Sequence, residues 1–100
     1  MQRYTTFREF YPFYLSQHQD RTCRRLHVVG SLTVLAVLAY AIATQQWRVL
    51  WALPLVGYGF AWVGHFRFER NRPATFTYPI YSLMGDWVMF WQTVTGRLPW

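Results

Sequence analysis

Residues 28–47 read VVGSLTVLAVLAYAIATQQW, twenty residues without a formal charge. At about 1.5 Å per residue, a helix of that length is about 30 Å long, the thickness of a bilayer's hydrocarbon core. This stretch therefore predicts a spanning helix. Ala36, Ala39 and Ala43 form a small-residue stripe on it, suited to close helix packing. Gln45, Gln46, Trp47 and Arg48 follow as a short turn at the far surface. A second charge-free segment, VLWALPLVGYGFAWVGHF at 49–66, returns from that turn. Pro54, Gly57 and Gly59 should bend it, which membrane helices tolerate when neighbours cover the freed backbone groups.

Outward from this hairpin the composition agrees. Hydrophobic residues make up 53% of the 100-residue chain and charged residues 14%, against roughly 25% charged in an ordinary soluble domain. Aromatic residues reach 21%. A single domain this small cannot bury so much apolar surface in a water-soluble core. The apolar residues form blocks rather than heptads, which argues against a coiled coil. The net charge is +6, carried by arginines that flank the blocks. That placement points to membrane anchoring rather than nucleic acid. Cys23 stands alone, so no intrachain disulfide forms. It reads as a reduced bystander. The N-terminal residues mix acid and aromatic side chains where a cleavable signal would be uninterrupted and apolar.

Two further segments complete an all-α membrane protein. In 5–19, Phe7, Phe10, Tyr11, Tyr14, Leu15 and His18 recur at spacings of three and four, which predicts a helix lying in the interface and disturbed near Pro12. Residues 78–96 predict a third membrane helix opened by Pro79 and interrupted only by Asp86.

Orientation follows from the arginines. Arg21, Arg24 and Arg25 precede the first span, and Arg67, Arg70 and Arg72 follow the second. A hairpin places both triplets on one side, which is then cytoplasmic. His27 opens the first span and His65 closes the second, so they share a depth. His18, nine residues before His27, can fold back to the same level. Glu69 lies four residues after His65, on the same face of a continued α-helix. Asp86 enters from the same surface, and an intramembrane carboxylate is costly and usually functional. Histidines with a carboxylate suit Fe(II) with open positions, and Zn(II) fits the same ligands. No Ser-His-Asp arrangement, phosphate loop or CxxC pair is present. A haem held between His27 and His65 alone is the rival metal-site reading.

The elements FYPFYLSQH, then LH at His27, VGHFRFERNRPATF and SLMGDW together resemble the small membrane proteins related to the fungal Fe(II)-dependent 2-hydroxy fatty acid dioxygenase, most closely their bacterial branch. The resemblance runs from about Phe7 to Gly96. It implies that His18, His27 and His65 ligate the metal, with Glu69 or Asp86 completing or orienting the site; Arg72, or Arg25 near His27, is the candidate to hold the substrate carboxylate by a two-pronged contact. Asp86 is not matched in the fungal enzyme. The implied reaction shortens a 2-hydroxy fatty acid by one carbon with O₂, in fatty acid α-oxidation, at the cytoplasmic face of a bacterial inner membrane. The implied partners are that acid, O₂ and membrane lipid, with a homodimer as the assembly that could enclose the site and no nucleic acid. The alternative function is a non-catalytic membrane protein that binds haem or lipid, or scaffolds a complex.

Overall fold

The computed structural model describes residues 3–100. Four helices carry the chain, and no strand occurs among the described residues. Helix α1 spans Phe7–Ser16 and α2 spans Arg21–Thr44. Helix α3, Ala52–Val63, is preceded by a 3₁₀ turn at Trp47–Trp51 and continues into a π-helical turn at Gly64–Glu69. A short 3₁₀ turn, Ala74–Phe76, leads into α4, Pro79–Val94.

Local chemistry sets the boundaries. The side chain of Thr6 accepts the Glu9 amide at 3.2 Å and starts α1 in the Thr-x-x-Glu pattern of a capping box. Pro12 lies inside this helix. Asp20 caps α2 by accepting the Cys23 amide at 3.0 Å. The first long helix therefore begins seven residues before its charge-free stretch. It ends at Thr44, because Gln45 turns into the left-handed region at φ 55. Gln45 to Trp47 thus lie outside the helix that 28–47 predicts.

Helices α2 and α3 pair antiparallel along their length. A Cβ on Gly64 would meet Cys23, one on Gly30 would meet Phe60, and one on Gly57 would meet Val34. Glycines, not the alanine stripe, bring the two helices together: Ala36, Ala39 and Ala43 are exposed. Periodicity picked out a small-residue face, but the packed face is the one where Gly30 admits Phe60. Both Arg21–Thr44 and Trp47–Glu69 are long and apolar enough to cross a membrane. They turn Leu35, Tyr40, Ile42, Trp51 and Leu55 outward.

Helix α4 has 16 residues, about 24 Å, and is shorter than either long helix. It leans against α2 and α1. Phe10, Tyr14, Tyr78 and Met89 form the buried core between α1 and α4. The edge-to-face and tilted aromatic contacts of Phe10 with Tyr4, Tyr14, Tyr78 and Tyr81 fill it. Tyr81 donates to the Thr5 carbonyl at 2.8 Å, and Tyr11 to Gln92 Oε1 at 2.5 Å. The aromatic face of α1 is thus committed to α4, and this docking carries His18 to the end of the hairpin.

Candidate metal centre

His18 lies in the link between α1 and α2, His27 in the second turn of α2, and His65 in the π-turn that ends α3. Their rings meet nearly edge to face, with centroids 4.4–5.0 Å apart. Their exposures are 1%, 6% and 2%, so the cluster is closed to bulk water. One ring nitrogen from each histidine lies within 4.8 Å of the others.

Which nitrogen faces inward is decided by the outer contacts. His18 Nδ1–H donates to the Tyr14 carbonyl at 2.6 Å, in the last turn of α1, where that oxygen also accepts the Gln17 amide at 3.1 Å. His27 Nδ1–H donates to the Cys23 carbonyl at 2.8 Å. His65 Nδ1–H donates to Asn71 Oδ1 at 2.7 Å. With every Nδ1 used as a donor, every Nε2 carries a lone pair. The His18 and His27 Nε2 atoms are 3.2 Å apart. Two lone pairs at that distance repel, and a shared cation removes the repulsion. A metal bound at about 2.1 Å sets neighbouring nitrogens roughly 3–3.5 Å apart. The His18 and His27 donors therefore fit a shared metal ion, with a His65 nitrogen within 4.8 Å as the third donor and each tautomer fixed from behind.

Each outer contact has a local cause. The π-turn closes on Arg70, which adopts the left-handed conformation at φ 59. The Asn71 amide then reaches back to the His65 carbonyl at 3.1 Å, one residue further than the bond that closes an ordinary α-helix at a left-handed residue, as the wider π-turn requires. That closure turns the Asn71 side chain onto the His65 ring. Asn71 Nδ2 also donates to the Gln17 carbonyl and to Gln17 Oε1, at 3.1 and 3.2 Å. One side chain thereby ties His65 to the segment that bears His18. The Tyr14 ring stacks on His18 at 4.0 Å. Cys23, buried against Gly64, has its sulfur 3.8 Å from His27 Nδ1. Burial pushes His18 well below its usual value of 6.5, and His27 and His65 act in the same direction. Burial and the Asp86 carboxylate raise the Tyr14 hydroxyl.

The carboxylates do not join the cluster of ligand atoms. Glu69 accepts the backbone amide of Asp20 and fastens the start of α2 to the π-turn. Asp86 accepts the Tyr14 hydroxyl. It also lines the small space beside the three histidines, with Tyr58, Trp62 and Ser82. Arg72 is exposed, with its guanidinium 5.1 Å from the Phe76 ring centre, and does not line that space. Arg25 donates to the Trp100 carbonyl at 3.1 Å. A haem between His27 and His65 needs the width of a macrocycle between them; their rings are 5.0 Å apart, and His18 touches both.

Sequence reasoning missed Tyr14, Asn71 and Ser82 as parts of this region. The Asn71 contact depends on a π-turn and a left-handed residue, which no periodicity announces. Tyr14 was visible as a member of the α1 face, and its fixed offset of four from His18 was the available signal.

The chain matches, over residues 4–98, the model of the family described as 2-hydroxy-palmitic acid dioxygenase Mpo1-like. It belongs to that family. Comparison with curated proteins and with solved structures finds no match.

Proposed function

We propose that this family member is a membrane-bound, iron-dependent dioxygenase that shortens 2-hydroxy fatty acids by one carbon. The observation that carries the reading is the buried trio His18, His27 and His65, with all three Nδ1 atoms tied down and the Nε2 atoms converging. Bound there, Fe(II) supplies a reduced centre with open positions for a chelating 2-hydroxy acid and for O₂.

The conversion balances without another reductant. A 2-hydroxy acid and O₂ give the acid one carbon shorter, carbon dioxide and water. The C1–C2 bond breaks. The substrate loses four electrons, three from C2 and one from C1, and O₂ takes all four.

The chain's own residues supply position and dryness. Tyr14 and Asp86 form a hydrogen-bonded pair that fixes the ring stacked on His18. Trp62 lines the small space with His65, and its ring packs edge-on against Phe76. Glu69 and Asn71 hold the α1–α2 link against the end of α3. The long helices cross the bilayer, and the end bearing both arginine triplets faces the cytoplasm. The site therefore lies at the cytoplasmic membrane surface, where fatty acid carboxylates reside.

The test is oxygen-free purification, elemental analysis and assay with 2-hydroxyhexadecanoic acid under O₂. Near-stoichiometric iron and formation of pentadecanoic acid are expected. Protein that binds no metal, or that binds iron and leaves the acid intact under O₂, overturns the reading.

A further inference from the structure

A cleft of about 260 Å³ lies between α2, α3 and α4. Val34, Leu53, Pro54, Leu83 and Trp87 form its apolar walls. Its ionisable groups, His27 and Asp86, stand at one end. Along α2 the cleft runs from His27 to Val34, two helical turns or about 10 Å. Gly57 faces Val34 there, where an added Cβ would lie 3.6 Å from the valine methyl. Leu83, which lines the cleft from α4, is 51% exposed, so the cleft has an open side there.

The small space beside the histidines shares His27, Tyr58, Ala61 and Asp86 with this cleft. One turn before Asp86 on α4, Ser82 also lines the small space; this residue is 2% exposed and its hydroxyl has no hydrogen-bond partner. Helical hydroxyls normally close on the carbonyl four residues back. Thr33, Thr44 and Thr93 do so at 2.7–2.8 Å. Ser82 does not, although its own amide bonds the Tyr78 carbonyl. A buried hydroxyl without an acceptor is costly unless something else supplies one.

Building on the dioxygenase reading, we propose that the two spaces form one track for a long-chain 2-hydroxy acid. The acyl chain lies in the cleft with Val34 and Gly57 along its course. The carboxylate stands where the cleft meets the small space, whose own volume is only about 10 Å³, and there it accepts the Ser82 hydroxyl. The cleft is apolar along its length and ends at a ligand set, and this continuity selects an acyl amphiphile over a flat protein partner. The slot grips the carbons nearest the head, and the remainder of the chain leaves sideways into lipid.

The test measures binding in lipid nanodiscs by displacement of a fluorescent fatty acid, with and without redox-inert Zn(II). The probes are 2-hydroxyoctanoic, 2-hydroxydodecanoic and 2-hydroxyhexadecanoic acids. Gly57→Leu should weaken the two longer acids by about fourfold per methylene displaced and leave the shortest nearly unchanged. Gly57→Ala, which meets Val34 only at ordinary contact distance, should do the same more mildly with the fold kept. Ser82→Ala should weaken all three by a common factor of about ten, and Ser82→Thr should recover part of it. An unchanged length profile in both Gly57 variants overturns the track. So does a changed oligomeric state without a changed profile, since a second copy would then occupy the cleft. Length-dependent binding without turnover sinks the dioxygenase reading and leaves the track standing. Turnover with an unaltered profile does the reverse.

Discussion

The Nε2 atoms of His18 and His27 stand 3.2 Å apart, and each ring donates its other nitrogen to a backbone carbonyl. Main chain, rather than an exchangeable side chain, thus points two lone pairs at each other. Such a pair is poised for a cation. Adding Fe(II) without oxygen, or Zn(II), should raise the unfolding temperature of the metal-free protein. At a hundredfold excess over Kd the gain is about 2.7 kcal/mol. His18→Ala, His27→Ala and His65→Ala should each abolish the shift. A persistent shift in any one of them removes that histidine from the ligand set.

Asn71 is the only side chain among the three outer acceptors. Asn71→Ala frees His65 Nδ1 and unties Gln17. Metal affinity should fall about 10–100-fold while helix content stays near the parent's. Equilibrium competition against a metal chelator measures it. Unchanged affinity would show that the π-turn alone orients His65.

The helix contacts give a graded series. A Cβ at Gly85 would lie 2.9 Å from the Tyr14 ring, and one at Gly64 would meet the Cys23 backbone at 3.2 Å. Gly85→Ala and Gly64→Ala should each cost about 1–3 kcal/mol and disturb metal binding, because they displace the residues beside His18 and His27. Gly59→Ala meets nothing within 4 Å and should stabilise by up to about 1 kcal/mol through helix propensity. Thermal unfolding in one detergent ranks them.

Acid should unfold the metal-free protein. Folded His18 titrates well below 6.5 because it is buried, whereas the unfolded chain takes its proton near that value. Between the two values the unfolded state binds more protons, so stability falls as pH drops below 6.5. A single such group gives a slope approaching about 1.4 kcal/mol per pH unit. His18→Gln should flatten the dependence. A slope equal to the parent's would place the sensitive group elsewhere.

Much of this arrangement was legible in the residues. The charge-free stretches mark the two long helices, and a hairpin that starts at His27 and ends at His65 forces those rings to one depth. His18 follows because nine residues span too little chain to escape. Other features were not legible, because they depend on backbone detail or on which face meets a neighbour. The alanine stripe had the right period on the wrong face, and single glycines against Phe60 and Cys23 set the actual contact. Glu69 looked like a partner for His65 on helical spacing. The left-handed Arg70 instead turns Asn71 onto that ring, and Glu69 meets Asp20. Ser82 had no signal at all, since an unpartnered hydroxyl exists only relative to a folded interior.

The three rings come from three separate segments, and Asn71 bolts the last to the first. During synthesis, neither the first helix nor the emerging hairpin can assemble the trio. The cluster is complete only once the chain through Asn71 has joined the fold. Unfinished chains therefore present at most the His18–His27 pair, two donors where the finished fold offers three. The complete donor set is thus a property of the finished fold alone.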